Sequence, residues 1–234
     1  MDDAREVAEM ARMVRVVVAG APHHVTQRGN RRQQTFFRDG DYRAYVALAG
    51  EHCRRCGVAI WAWCLMPNHV HLVAVPETAS GLAEAVGETH RLYARQIHFR
   101  TGWRGYFWQG RFASVAMDEA HLYTAVRYVE LNPVRARLVD AAEDWPWSSA
   151  RAHLRGEVDG LTETGALAAR IPDWRAYLDA AADGDAEYAL RRHTRTGRPV
   201  GSEAFIADLE ERLGMRLRPR KPGPKPKGGS DRDA

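Results

Sequence analysis

The densest chemistry in this 234-residue chain lies in Pro67-Asn68-His69-Val70-His71-Leu72-Val73. Residues two apart on a β-strand share a face, so His69 and His71 would project side by side while Val70 and Leu72 enter a core. Two imidazoles so placed can bind one divalent ion. Alone, the pair leaves open a structural or zinc-hydrolase-like site and a nuclease-like one, and favours the former. A second cluster is Tyr128 with Asn132. Four positions apart on a helix, they differ by about 40° in azimuth and about 6 Å along the axis, so phenol and amide share a face. An Asn carbonyl is a hard oxygen ligand suited to Mg²⁺ or Mn²⁺, and a phenol can attack phosphorus. Taken singly, Tyr128 reads as a half-buried core aromatic and Asn132 as a helix-terminal residue before Pro133.

The elements that must carry these residues are legible in the spacing. His23 to Arg28 reads as a strand, with Gly29 and Asn30 turning into an Arg31-Arg32-Gln33-Gln34 loop. Asp39 is the expected N-cap of a helix from about Tyr42 to Arg55, stopped by Gly57. Val58 to Met66 and His69 to Val75 form an antiparallel hairpin about Pro67-Asn68. Ser80 is the expected cap of a second helix, about Leu82 to Phe99, closed by Gly102. Trp108 to Met117 is expected as a further strand. Asp118 caps a third helix from Glu119 to Leu131, ended by Asn132-Pro133. Strand, helix, strand, strand, helix, strand is the α+β, ferredoxin-like split βαβ plan, an antiparallel sheet with helices on one face.

Charge divides the chain further. Of 34 basic residues, 31 are Arg, and Lys221, Lys225 and Lys227 are the lysines. Residues 22–139 are net +6, 140–190 net −7 and 191–234 net +6, whereas the whole is only +4. Two basic blocks about an acidic one suggest a polyanion-facing surface, since Arg pairs with phosphate and stacks on bases. The expected organisation is an N-terminal arm (1–14), a catalytic domain (15–139), an acidic helical linker, spacer or cover (140–192), and a basic C-terminal extension (193–234). Within the extension we expect an amphipathic helix, Glu203 to Leu213, and a disordered Pro-, Lys- and Gly-rich tail. No apolar run approaches the ~18 residues of a membrane span, no secretory signal is recognisable and three cysteines cannot build a disulfide framework. A cytoplasmic, nucleoid-associated protein is expected, with no membrane partner. Cys53 and Cys56 fall at a helix C-terminus, the wrong end to stabilise a redox thiolate.

Four motifs in order make the chain resemble the REP-associated tyrosine transposases, within the HUH single-tyrosine, insertion-sequence-like transposases. They are His24-Val25-Thr26-Gln27-Arg28-Gly29-Asn30, Met66-Pro67-Asn68-His69-Val70-His71-Leu72, Trp108-Gln109-Gly110-Arg111-Phe112, and Tyr128-Val129-Glu130-Leu131-Asn132-Pro133-Val134-Arg135-Ala136. The resemblance implies an HUH endonuclease-like fold and a metal-dependent DNA strand-transfer site. His69 and His71 would be metal ligands, Asn132 the third ligand for Mg²⁺ or Mn²⁺, and Tyr128 the nucleophile. It implies cleavage and rejoining of single-stranded DNA at palindromic extragenic repeat hairpins through a 5′-phosphotyrosine. A domesticated, catalytically silent hairpin-binding protein is the alternative, and a zinc hydrolase would need a third His, Asp or Glu ligand.

Tyr123 is the rival nucleophile, but its neighbour four residues on is Arg127, which cannot ligate a cation. Tyr93 and Tyr106 are expected to pack or stack. Glu130 lies about 160° from Asn132 around the helix, so a surface role or an ion pair is expected of it. Arg28, Arg31, Arg32, Arg104, Arg111, Arg135 and Arg137 are the DNA-binding candidates. Those near Trp103, Tyr106, Phe107 and Trp108 would suit single strands, whose bases can stack. A monomer or weak homodimer is expected.

Overall fold

The computed structural model describes residues 15–181 and 183–218. Four antiparallel strands, β1 (His23–Arg28), β2 (Val58–Met66), β3 (His69–Pro76) and β4 (Ala113–Ala116), form a sheet in the order β2-β3-β1-β4. Helices α1 (Asp39–Arg55) and α2 (Gly81–Thr101) cover one face, and α3 (Glu119–Glu130) packs against β2 and β3 from the other. This is the α+β, ferredoxin-like split βαβ arrangement.

Period-two alternation sorts the strand residues between two cores. On β3, Val70, Leu72 and Ala74 face α1 and α2, while Val73 faces α3. On β2 a register shift between Ile60 and Ala62 changes the parity. Ile60, Trp63 and Leu65 therefore meet α1 and α2, and Ala62, Cys64 and Met66 meet α3. The buried stripe of α3 is Leu122, Ala125, Val126 and Val129, at helical spacing. Each of its larger members stabilises the packing by about 1.5–3 kcal/mol.

Beyond α3 lie the one-turn α4 (Asn132–Arg135), then α5 (Ala150–Arg155), α6 (Gly165–Ala168), α7 (Trp174–Asp179), α8 (Gly184–Thr196) and α9 (Glu203–Leu213). Leu167, Ile171, Trp174, Leu178 and Leu190 share one core with Val126 and Val129. The acidic stretch thus packs over α3. Val16 and Val18 join Leu209 and Leu217 in a small third cluster.

Three expectations need correction. The ladder of β4 spans only Ala113–Ala116, because Gly110 turns with φ 76° and Trp108 makes an isolated bridge to Gly29. The Trp108 indole instead reaches inward to the His90 carbonyl, 3.0 Å away. Arg38, not Asp39, is the N-cap of α1; Asp39 lies in the first turn, where its charge still meets the helix dipole. Helix α3 ends at Glu130, and Asn132 opens α4, with Pro133 in the first turn where its missing N–H costs nothing. Asp118 does cap α3, accepting from the His121 backbone N–H at 3.0 Å. Among the described residues no helix is long and apolar enough to cross a membrane. The expected arm, 1–14, and the expected tail, 218–229, lie outside the described residues but for Arg218, which is not disordered: it pairs with Glu203 at 2.9 Å and Glu210 at 2.5 Å.

Candidate active site

The hairpin turn that presents His69 is clamped to the loop leaving β1. Gly29 donates to the Asn68 carbonyl at 2.9 Å, and the Thr35 and Phe36 amides donate to the Pro67 carbonyl. Only glycine fits at position 29, since a Cβ would lie 2.3 Å from the Gln33 carbonyl oxygen. The Asn68 amide nitrogen donates to the Arg32 carbonyl at 3.0 Å, which turns its oxygen toward His69. That oxygen lies 2.6 Å from His69 Nδ1 and can only accept, so His69 carries its proton on Nδ1 and keeps a lone pair on Nε2.

His71 projects to the same side of β3, its ring centre 4.9 Å from that of His69. Its Nδ1 lies 3.0 Å from Nε2 of His24, and its own Nε2 is buried without a hydrogen-bond partner. His24 comes from β1, the strand beside β3, and its Nδ1 lies 3.3 Å from the Thr194 hydroxyl on α8. Burial holds all three imidazoles neutral: His24 is pushed down to about 4 and His69 to about 3, the latter also by Arg28. His71 is driven well below the usual range by burial, then by His69, His24, Arg28 and Arg135. Neutral imidazoles with bare Nε2 atoms are what a divalent cation requires.

Tyr128, half-buried on α3, sets its ring edge-on to His71 at 5.5 Å and to His24 at 6.0 Å between centres. Arg135 and Arg191 place guanidinium carbons 4.7 and 5.5 Å from the Tyr128 ring centre. Both arginines are paired with Glu187 on α8. Among the described residues neither the Tyr128 hydroxyl nor the Asn132 amide has a hydrogen-bond partner, which leaves both free for a ligand. The rival Tyr123 instead donates its hydroxyl to Glu119 at 3.0 Å. Burial raises the pKa of that phenol, and Glu119 raises it further.

Glu130 is fully buried, so its surface reading fails, and its carboxyl is taken up by hydrogen bonds. It accepts from Ser149 Oγ, from His153 Nδ1 at 2.6 Å and from the Trp174 indole at 2.7 Å. One carboxyl thus ties the end of α3 to the acidic region.

The basic candidates separate by environment. Arg28 lies opposite His69 in the β1–β3 register and close to the Tyr128 phenol. Arg31 and Arg32 are exposed and hold left-handed backbones, φ 51° and 60°; Arg137 does too, at 55°. Arg104 and Arg111 are exposed. Tyr106 is exposed, whereas Tyr93 is buried and donates to the Thr35 carbonyl. Arg135 is taken up by Glu187 and Tyr128. His24 is the site residue that sequence reasoning missed. Its signal was available: it lies four positions before Arg28 on the same face of β1, and β1 neighbours β3 in the split βαβ order. Thr194 and Glu187 belong to no motif.

A family model described as IS200-like transposase matches residues 17–132. A candidate REP-associated tyrosine transposase of Haemophilus influenzae is 27% identical over 129 residues, covering 50% of this chain and 72% of that protein. The REP-associated tyrosine transposase of Escherichia coli is 25% identical over 89 residues, 38% of this chain and 52% of its own length. Among solved structures, a REP-associated tyrosine transposase bound to a REP hairpin superposes with a TM-score of 0.51 at 24% identity. That match covers 65% of this chain and 90% of the other, and it shows the same fold.

Proposed function

The chain belongs to the IS200-like transposase family, and on that premise we propose that it is a metal-dependent single-stranded DNA endonuclease and strand transferase. It acts on hairpins of palindromic repeats through a 5′-phosphotyrosine intermediate. The observation that carries this reading is Tyr128 set edge-on to His71, whose Nε2 is buried without a partner, beside His69, whose Nδ1 is engaged by Asn68 and whose Nε2 keeps its lone pair. The hairpin bound by the structural relative supports hairpin DNA as the substrate.

His69 and His71 would hold Mg²⁺ or Mn²⁺. Asn132 would supply the third donor, a neutral amide oxygen, as the family resemblance implies. A bound cation supplies Lewis-acid polarisation of the scissile phosphate. The protein's own residues do the rest. Tyr128 Oη attacks phosphorus in line and the 3′-oxygen leaves with a proton, so the phenol's proton loss balances the gain on the new 3′-hydroxyl. Arg135 and Arg191 over the ring stabilise negative charge on the phenolate. The phosphotyrosine keeps the energy of the broken phosphodiester, so a second 3′-hydroxyl can attack it and release Tyr128 without a nucleotide cofactor. Arg28, Arg31, Arg32, Arg104, Arg111 and Arg137 supply backbone contacts. Tyr128 and the histidine pair meet within one chain, which supports action as a monomer or weak homodimer.

Incubation with labelled single-stranded hairpin and Mn²⁺ tests this. A covalent protein–DNA adduct is expected, lost in Tyr128→Phe and kept in Tyr123→Phe. Tight binding with no adduct in the unaltered protein would instead support a silent hairpin-binding protein.

A further inference from the structure

We infer that His24 and Thr194 are positioning residues that lock His71 in the tautomer with a bare Nε2, so that the last turn of α8 sets the metal competence of the site. The inference rests on the metal-site reading above for its purpose but not for its geometry.

The proton directions follow from one hydroxyl. Thr194 has a single proton, and it donates that proton to the Leu190 carbonyl at 2.7 Å. Toward His24 Nδ1, 3.3 Å away, the oxygen can therefore only accept, so His24 is protonated on Nδ1 and offers Nε2 as an acceptor. His71 Nδ1, at 3.0 Å, is then the donor. The two ring planes agree within 2°, with centres 5.2 Å apart, which suits imidazoles lying side by side along an N–H···N line. Reversing the chain would strand a buried N–H on His71 Nε2, where the protein offers no acceptor.

His69 provides an internal comparison. Its tautomer is set by Asn68, which is anchored on the Arg32 carbonyl and owes nothing to α8. The two imidazoles are thus prepared by separate devices, one inside the hairpin and one reaching back from residue 194. On α8, Glu187, Leu190, Arg191 and Thr194 recur every three or four residues, so one helix face carries both the arginine clamp over Tyr128 and the end of this relay. Outer partners of this kind tune metal affinity by about 10- to 100-fold.

The test uses full-length, metal-free protein labelled with ¹⁵N-histidine, read by long-range ¹H–¹⁵N correlation, together with Mn²⁺ affinity from electron paramagnetic resonance. His71 is expected to be protonated on Nδ1 in the unaltered chain. In His24→Leu it should lose that preference, with Mn²⁺ binding about 10- to 100-fold weaker. His24→Gln restores an acceptor oxygen and should recover most of the affinity. Thr194→Val should weaken binding roughly fivefold. The His69 signals should stay unchanged throughout. Retention of the Nδ1 tautomer by His71 in His24→Leu, or equal Mn²⁺ affinity in the Leu and Gln variants, would overturn the relay. If His24→Leu does not fold, Thr194→Val decides alone, and an unchanged His71 tautomer and affinity there sinks the idea. Failure of the unaltered protein to bind Mn²⁺ would sink the metal reading, while the metal-free tautomers would still decide the relay.

Discussion

Arg135 holds its guanidinium carbon 4.7 Å from the centre of the Tyr128 ring while Glu187, fifty-two residues further along the chain, grips its terminal nitrogens. A cation on a phenol face lowers the energy of the phenolate more than that of the phenol. Arg135→Ala should therefore slow adduct formation about tenfold, measured as a single turnover at saturating hairpin and Mn²⁺. An unchanged rate would remove Arg135 from the chemistry.

Glu130 accepts from three donors at the end of α3, and none of them has water to turn to. Replacing it with Ala should lower stability by about 3–5 kcal/mol. Glu130→Gln, which keeps an acceptor oxygen, should cost less. Urea unfolding of the two variants against the unaltered chain checks the order, and equal losses would show that packing rather than hydrogen bonding matters there.

Arg31 holds a left-handed backbone at φ 51° on an exposed turn, a conformation that costs a non-glycine residue about 1–2 kcal/mol. Glycine relieves that strain, against an entropic cost of about 0.5–1 kcal/mol. Arg31→Gly should therefore unfold at an equal or higher urea concentration. If Arg31 contacts phosphate, the same variant should bind hairpin DNA more weakly, with the salt slope reduced by about one. Unaltered affinity and slope would take this arginine out of the DNA interface.

Acid should destabilise the fold well before its carboxylates titrate. Burial pushes His90 down to about 3, helped by Arg15, and pushes His23 down to about 4 against the pull of its hydrogen bond to the Ala21 carbonyl. Both take up protons near 6.5 when the chain is unfolded. Below that pH the unfolded state binds more protons than the native one, so stability is full above about 6.5 and falls as pH drops toward 4. Each histidine contributes a slope of up to about 1.4 kcal/mol per pH unit. Urea midpoints across pH 7.5 to 5 should show the decline, and His90→Gln, able to accept the Tyr45 hydroxyl in place of His90 Nε2, should make it shallower by the share of one histidine. A pH-independent midpoint would contradict the neutral, buried state of these rings.

What the sequence disclosed follows from which signals are local. Strands β1 to β3 and helices α1 to α3 are readable within a few residues because alternation, glycine stops and the Asp118 cap are written in adjacent positions. Strand β4 is over-read since Trp108 and Phe112 are apolar for a different reason: they fill the core beneath α1 and α2. His69, His71 and Tyr128 announce themselves by spacing. His24 does not, because its role depends on which strand lies beside β3. Nor does the packing of the acidic block, although Leu167, Ile171, Trp174 and Leu178 carry helical spacing that marks a buried side.

The match to the family model ends at residue 132, yet Leu190 lies in the same core as Val129, and Thr194 touches His24. The folded unit is thus indivisible at the boundary of that match. A fragment stopped at 132 or 139 would bare the outer side of α3 to water, release the arginine over Tyr128 and unpair one imidazole. Any fusion or shortened version that is to keep this arrangement has to run through Thr196, and changes made in α8 for solubility or linkage would be felt 170 residues earlier, at His24, and through it at His71.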